Sequence, residues 1–339
     1  MRMRSDASGQ PPGEPPAGED ESFELVAPAN IRAIFRVGNE FFLRSLDSMA
    51  RVAGNDLVLA LVYNAMWTAN VLHITNSAAN VEYGGMENIP PDSMRRPVTV
   101  MALASSLRIP YETTRRAVQT LIKGGICVRV GGRGLIVPAA IHMRQDRLDA
   151  IRDALPSLLR FLTDLKRAGF DFEPYRRPLP QTVPLPTDGN LPSNARAILR
   201  ACTEFIMRGV DTLGRVHGDD FLLALIFSAI WTANVHHITG SSENLAFGGL
   251  GELPPDELRR PVSVNAITQS LRLSPETTRR YAARLLREGS ATRVEDKGLI
   301  IPRQHLVNAA YYDGVRQSYT HIVRAVADMH RSGFDFSNY

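Results

Sequence analysis

Residues 99–137 read TVMALASSLRIPYETTRRAVQTLIKGGICVRVGGRGLIV, and this stretch decides the fold class. Thr99 is a residue type that caps helices, and Gly124 is the type that ends them. Apolar residues recur at helical spacing between these positions, with one tight turn, and alternate beyond them. The pattern therefore predicts a short helix, a turn, a second helix and a two-stranded hairpin, over residues 99–107, 108–110, 111–123 and 126–137.

The pattern occurs a second time at a fixed offset of 164 residues. WTANVLHIT at 67–75 recurs as WTANVHHIT at 231–239, ETTRR at 112–116 recurs at 276–280, and GFDF at 169–172 recurs at 333–336. An unbroken offset over this length indicates a module that was copied without insertions. The period is far longer than that of solenoid repeats, so each copy is expected to be a whole domain.

Four segments follow from the repeat and from the proline content. Residues 1–27 are rich in Pro, Gly and acids, which is typical of a disordered tail. The first repeat is expected over 28–172 and the second over 194–339. Between them, residues 173–193 contain six prolines and no helical or strand period. That composition predicts a semi-stiff linker.

Helix, turn, helix and hairpin in this order are typical of a winged helix-turn-helix. One face of the second helix is expected to meet the core, and its residues are Thr114, Val118, Leu121 and Ile122. The predicted fold class is mainly α with small β-wings. The chain is predicted to contain two tandem winged helix-turn-helix domains with additional flanking helices.

The segment from Leu273 to Arg280, LSPETTRR, followed by Leu285 and Gly289, resembles the recognition-helix pattern of winged-helix bacterial regulators. The MarR and GntR groups are the most similar, and the helices flanking the hairpin resemble the MarR type more. The resemblance covers about 40 residues of each repeat, from Val98 and from Val262. It implies a transcriptional regulator that binds double-stranded DNA.

Positive charge is concentrated in two matching windows. Residues 95–137 carry eight Arg or Lys and one acid, a net of +7, and residues 259–301 carry nine and four, a net of +5. The whole chain is only +4, so the remaining residues total −8. Clustered positive charge in both repeats is what a polyanion-binding surface requires, although a solvated basic face gives the same composition.

The residue types in these windows suit DNA. An α-helix fits the major groove, where Arg115 and Arg279 are expected to bind guanine and Thr side chains can contact phosphate or a thymine methyl. Phosphate clamps are predicted at Arg95, Arg96, Arg259 and Arg260, and contacts from the hairpin tips at Arg133 and Lys297. The full predicted set is Arg95, Arg96, Thr99, Tyr111, Thr113, Arg115, Arg116, Gln119, Arg129 and Arg133 in the first repeat, and Arg259, Arg260, Ser263, Ser274, Thr277, Arg279, Arg280, Arg284, Arg293 and Lys297 in the second.

The two repeats differ at the start of the second helix. Pro110 and Tyr111 stand where the second repeat has Ser274 and Pro275, so the first copy lacks a capping hydroxyl and gains an aromatic ring. The copies are therefore expected to read different half-sites. Two such heads in one chain predict an intramolecular pseudo-dimer on a two-part site, direct or inverted. Further homodimerisation through the outer helices is an open alternative.

Other recurring residues carry weaker signals. The residues Trp67, Asn70, His73 and Thr75 recur as Trp231, Asn234, His237 and Thr239. They predict a buried polar cluster that fixes the helix against the glycine loop, since one His without a carboxylate at ligand spacing is poor evidence for a metal. No metal or cofactor is predicted. A small-molecule effector is a further hypothesis for the loops 83–85 and 247–249, which are otherwise tight turns.

Several function classes find no support in the sequence. No Ser-His-Asp signature, phosphate-binding glycine loop or pair of catalytic carboxylates is recognisable, so no enzyme is predicted. No continuous apolar run long enough for a membrane span is seen. Cys127 and Cys202 are expected to be reduced and buried, in a cytoplasmic, nucleoid-associated protein. Two alternatives to a regulator remain: a plasmid-type replication initiator and a winged-helix scaffold that binds proteins.

Overall fold

The computed structural model describes residues 27–132, 134–186 and 190–339. The predicted tail, except its last residue, and Arg133 lie outside the described residues. The described chain is mainly helical and carries two small antiparallel sheets of two strands each. The prediction of a mainly α chain with small two-stranded sheets is thus confirmed.

The helices and strands follow the sequence repeat residue by residue. The first repeat contains α1 (Ile31–Val52), α2 (Leu57–Thr75), α3 (Ala79–Glu82), α4 (Val100–Leu107), α5 (Tyr111–Lys123), β1 (Val128–Val130), β2 (Gly134–Ile136) and α6 (Gln145–Arg167). The second contains α7 (Ala195–Val216), α8 (Phe221–Thr239), α9 (Glu243–Ala246), α10 (Val264–Leu271), α11 (Pro275–Arg287), β3 (Thr292–Val294), β4 (Gly298–Ile300) and α12 (Ala309–Arg331). Each of these elements begins 164 residues after its counterpart.

Local chemistry sets the bounds of these helices. Asp56 and Asp220 cap α2 and α8 by accepting a hydrogen bond from the N–H three residues on. Thr99 and Ser263 cap α4 and α10 in the same way, as the sequence predicted for this position. Polar groups at each start therefore leave the apolar helix bodies free to pack.

Helices α2 and α8 form the centre of the fold. By length and composition alone either could cross a membrane, although no continuous apolar run was evident in the sequence. Their apolar windows are 56% and 78% buried inside the protein. This burial fits core helices of a soluble protein, which pass the same test of length and hydropathy.

The two repeats contact each other reciprocally. Arg36 of α1 donates to the carbonyl of Phe247 (Nη2···O 2.8 Å) and to Asn244 (Nε···Oδ1 2.8 Å). The equivalent Arg200 of α7 donates to the carbonyl of Tyr83 (Nη2···O 2.6 Å). A contact is isologous when both copies use the same surface, so that each contact made by one copy is repeated by the other. The repeats are thus related by an approximate two-fold axis.

The turns that precede α5 and α11 dock on the opposite repeat. Arg108 and Arg272 end α4 and α10 in the left-handed conformation, with φ of 50° and 52°. Arg108 pairs with Asp211 of α7 at 2.9 Å, and Arg272 pairs with Asp47 of α1 at 2.8 Å. Each helix–turn–helix segment is therefore held by the first helix of the other repeat.

Apolar side chains of both repeats form one continuous core. The Phe41 ring stacks on that of Phe161 in its own repeat, with 4.2 Å between the ring centroids. Its centroid lies 6.0 Å from that of Phe205 in the other repeat. The described part of the predicted linker lies along the second repeat, where the Val183 N–H donates to the carbonyl of Gly333 at 2.9 Å. The division at 28–172 and 194–339 stays a prediction, and the two segments share their interior.

Candidate nucleic-acid interface

Helices α5 and α11 each have a buried face and an exposed basic face. Thr114, Val118 and Leu121 of α5 are buried, as are Thr278, Ala282 and Leu285 at the matching positions of α11. The fourth predicted position, Ile122 in α5 and Leu286 in α11, is half-buried. The opposite face of each helix is exposed at Arg115 and Arg116, and at Arg279 and Arg280. The spacing that places apolar residues inward therefore also aligns the arginines outward.

A buried asparagine fixes each hairpin relative to its helix. Asn70 of α2 is fully buried and donates to the carbonyls of Arg96 (2.7 Å) and Leu135 (3.1 Å). Its Oδ1 accepts from the Val137 N–H at 2.9 Å. Asn234 makes the same three bonds at 2.7, 3.0 and 2.9 Å in the second repeat. Of the predicted polar cluster, Asn70 and Asn234 thus bind the hairpin strand, whereas Thr75 and Thr239 bond to carbonyls of their own helices.

The exposed face of α5 is partly neutralised by its own acid. Arg115 holds Glu112 through two bonds of 2.8 Å, and Arg116 reaches the same carboxylate at 3.2 Å. These hydrogen bonds lower the pKa of Glu112 to about 2, Arg115 being the largest cause. The carboxylate thus stays ionised and occupies both guanidinium groups in the absence of a ligand.

The start of α11 is built differently. Ser274 accepts a hydrogen bond from the Thr277 N–H at 3.1 Å and donates to its hydroxyl at 2.8 Å. Pro110 gives α5 no side-chain cap, as expected. Arg280 lies over the ring of Tyr281 at 5.1 Å, and Arg279 makes no ion pair within the described part of the chain. The second helix therefore presents an uncommitted guanidinium where the first presents a paired one.

Most of the remaining predicted residues are exposed. Those on the described surface are Arg96, Thr99, Tyr111, Arg129, Arg260, Ser263, Arg293 and Lys297. Thr113, Gln119 and Thr277 are half-buried on the helices. Thr99 and Ser263 are occupied as caps, and Arg133 lies outside the described residues. The helices and hairpins thus carry most of the predicted contacts.

The phosphate-clamp interpretation is wrong for Arg95 and Arg259. Both side chains are fully buried and pair with the aspartate three residues earlier, Arg95 with Asp92 at 3.3 Å and Arg259 with Asp256 at 2.9 Å. Burial lowers the pKa of both guanidinium groups, against the effect of the aspartates. They hold the loop before α4 or α10, while the adjacent exposed arginines remain available to a phosphate.

Arg284 is also committed elsewhere. It is half-buried and pairs with Asp220, the cap of α8, and with Glu288, both at 2.7 Å. It therefore braces α11 against the core helix, which a face-by-face reading of one helix does not reveal.

The glycine loops hold helix starts. The carbonyl of Gly84 accepts hydrogen bonds from the backbone N–H groups of Arg196 (3.0 Å) and Ala197 (3.3 Å). The carbonyl of Gly248 accepts one from the backbone N–H of Arg32 at 2.8 Å. These loops are thus contacts between repeats, and the effector hypothesis for them stays a prediction. The sequence analysis did not identify Arg32 and Arg196 as contacts between the repeats, although they recur at the offset of 164 residues.

Comparisons with known protein families, with curated proteins and with solved structures found no match to this chain. The assignment of function therefore depends on the geometry and chemistry described above.

Proposed function

We propose that this protein is a sequence-specific, double-stranded DNA-binding transcriptional regulator with two winged helix-turn-helix heads. The observation that carries the proposal is the recurrence of one arrangement in both repeats. A helix buried on its apolar face presents arginines outward and is followed by a hairpin with exposed basic residues, Arg129 on β1 and Arg293 on β3. A basic face that only interacts with solvent would require neither the hairpin nor the recurrence of the arrangement in both repeats.

Each part of this arrangement has a use on DNA. Arg279 can offer two parallel donors to the O6 and N7 atoms of guanine, a pairing worth about 1–3 kcal/mol of discrimination against a wrong base. Arg96 and Arg260 lie next to the buried asparagine that fixes the hairpin, so their charges are held beside the helix. Contacts from such residues to phosphate set the position of the protein on the duplex.

The reciprocal contacts between repeats favour an inverted site. A two-fold relation between heads places their helices in opposite directions, and operator symmetry follows protein symmetry. We therefore expect an imperfect inverted repeat. Its halves should differ because Glu112 holds Arg115, whereas Arg279 is uncommitted.

The cellular setting is part of the same proposal. A regulator of this kind acts in the cytoplasm, associated with the nucleoid, and needs no cofactor. The burial of the two most apolar helices within the core supports a soluble protein. Neither catalysis nor further homodimerisation is needed for the proposed activity.

The test is selection of binding sites from randomised duplex DNA with the full chain and with Arg115→Ala and Arg279→Ala. We expect a two-part motif, with each substitution relaxing one half. Arg152→Ala and Arg316→Ala are matched controls, because these exposed arginines on α6 and α12 each pair with an aspartate of their own helix. They make the same change of charge away from the proposed interface.

The salt dependence separates this proposal from a protein-binding scaffold. A DNA binder that neutralises several phosphates weakens steeply with salt, with a slope near −0.9 per phosphate. Absence of enrichment together with weak, salt-insensitive affinity would overturn the DNA-binding proposal. Glu112 neutralises part of the positive charge of Arg115 and Arg116 on α5. This is the feature that a protein-binding scaffold explains better than a DNA-binding protein does.

A further inference from the structure

Two cavities lie at the junction of the repeats and occupy equivalent positions. The first is bordered by α1, α2, α6 and α7, and the second by α7, α8, α12 and α1. Their lining residues correspond at the offset of 164: Trp67 matches Trp231, and Arg196 matches Arg32. The duplication thus created one site twice.

The two copies of the site differ greatly in volume. The cavity of the first repeat measures about 560 Å³ and that of the second about 80 Å³. A volume of about 300–1,000 Å³ is usual for small-molecule sites. Only the first copy is large enough for an organic ligand.

Aromatic and histidine side chains fill the second copy. Tyr311 stands where the first repeat has Arg147, and His217 stands where it has Ala53. The two form a hydrogen bond of 2.9 Å (Nε2···Oη) and pack edge to face. Phe227 packs against both, at 4.9 Å from the His217 ring and 5.5 Å from that of Tyr311. These side chains therefore reduce the second copy to about 80 Å³, whereas Ala53 and Arg147 stand at the positions of His217 and Tyr311 in the first.

The inner end of the open cavity carries polar groups that lack partners. His142 is 6% exposed, and its Nε2 makes no hydrogen bond to the described residues. Tyr63 is 7% exposed, and no hydrogen bond of its hydroxyl occurs within the described chain, but this hydroxyl is not fully enclosed. Buried polar groups are normally hydrogen-bonded, so the enclosed Nε2 of His142 points to a ligand or water that satisfies it.

The same end is strongly electropositive. Arg147 lies over the Tyr63 ring at 4.3 Å, and Arg196 binds the carbonyl of His142 at 3.0 Å. Burial, with Arg95, Arg196, Arg147 and Arg200 nearby, lowers the pKa of His142 to about 3, so the ring itself is neutral. Asp146 is 3.6 Å from Arg147, and Asp92 pairs with Arg95. Asp153 and Arg51 also line the cavity, and both are exposed. The inner arginines therefore outnumber the acids that face them.

Most of the cavity wall is apolar. It comes from α1, α6 and α7, and its apolar side chains include Met49, Val52, Ile151, Leu158, Leu199 and Ile206. The uncharged polar side chains that also line the cavity are Ser45, Ser48, Asn64, Ser157 and Thr203. A mainly apolar wall with a small number of polar and charged groups is the usual composition of a small-molecule site.

We propose that this cavity binds one small molecule per chain. This molecule is largely apolar and carries a single anionic group. The anion lies among Arg147, Arg196 and His142, and the apolar body lies between α1, α6 and α7. The second copy of the site is closed, so the stoichiometry is one ligand per chain despite the duplication. This proposal does not depend on the DNA-binding proposal.

The test uses the tryptophan that lines the cavity. The chain has two tryptophans, Trp67 and Trp231, so Trp231→Phe leaves Trp67 as the single reporter. Its fluorescence is titrated with decanoate and with 2-naphthoate, one flexible and one flat anion, without DNA. Decan-1-ol and decylammonium are the matched neutral and cationic probes. Calorimetry on the unmodified chain gives the stoichiometry.

We expect saturable binding of at least one anion at one per chain. Decan-1-ol and decylammonium should bind at least about 10-fold more weakly, because they cannot accept the charge-assisted hydrogen bonds of the arginines. Arg147→Gln should weaken the anion by a similar factor. The double change Ala53→His with Arg147→Tyr should abolish binding while the protein stays folded by circular dichroism, because the same pair packs well in the second repeat.

Any one of the following results would overturn the proposal. One is equal affinity for decanoate and decan-1-ol. Another is a stoichiometry of two. The third is the lack of saturable binding by either anion, or binding that persists in the folded double variant. Because no DNA is present, none of these results bears on the DNA-binding proposal.

Discussion

Replacement of Asn70 by Ala tests whether the hairpin is held by the core helix. The change removes the hydrogen bonds to the carbonyls of Arg96 and Leu135 and from the N–H of Val137. A hydrogen bond contributes about 1 kcal/mol net, and a buried donor left without a partner costs about 1–3 kcal/mol. Leu135 keeps a second donor in the Val98 N–H, whereas no other bond of the Val137 N–H occurs among the described residues. The expected loss in free energy of unfolding is therefore about 3–4 kcal/mol.

The duplication supplies an internal replicate of this experiment. Asn234→Ala removes the same three bonds at nearly the same lengths, so the two variants should lose equal stability. Asn64→Ala is the matched control on the same helix. Among the described residues, its amide donates only to the carbonyl of Ala60 one turn earlier, so the substitution should cost less than about 1 kcal/mol.

Urea unfolding followed by circular dichroism measures all three variants. Hydrogen exchange should show faster exchange in β1 and β2 for Asn70→Ala, and in β3 and β4 for Asn234→Ala. A loss below about 1.5 kcal/mol for either variant, or faster exchange spread evenly over both hairpins, would refute the reasoning. It would mean that the hairpins are held by their own strand pairing.

Two further predictions concern titratable groups. Glu112→Gln should free both arginines of α5, tighten DNA binding and steepen the salt slope by about 0.9 for each extra phosphate contacted. Glu276→Gln in a parallel salt titration should change the slope less, because no ion pair of Glu276 is present in the described chain. The pKa of His142 is lowered to about 3, mainly by burial, so the unfolded chain binds the extra proton between about pH 6.5 and 3. The free energy of unfolding should therefore fall by up to about 1.4 kcal/mol per pH unit on acidification through this window. Unfolding measured at stepwise lower pH should show a shallower fall for His142→Gln. An unchanged slope would contradict the attribution of this pH dependence to His142.

The sequence was most informative where a property depends on near neighbours. Caps at Thr99 and Ser263 and the buried face of α5 depend on spacing along one helix, so they were predictable. Arg95 and Arg96 are adjacent and chemically identical, yet one is buried and the other exposed. Their difference is set by the loop between α2 and α4, whose conformation no period reveals.

Contacts between the repeats were beyond sequence reasoning for another reason. Arg36 and Arg200 are buried charges on amphipathic helices, where an arginine is ordinarily assigned to solvent. Their carbonyl partners lie more than 100 residues away. Only the docking of two repeats makes such burial favourable, because the Nη2 group of each arginine then donates to two backbone carbonyls of the opposite repeat.

Fusion of two copies into one chain has a physical consequence that a homodimer cannot share. In a homodimer every substitution appears twice, so both cavities and both helices must remain identical. Here Tyr311 and His217 close one cavity, while Arg147 leaves the other open. The same freedom pairs Arg115 with Glu112 and leaves Arg279 uncommitted. Asn70 and Asn234, which hold the scaffold, keep the same bonds in both halves. Divergence is thus found at the surfaces proposed to meet ligand and DNA, and the frame that positions them is the part that stays symmetric.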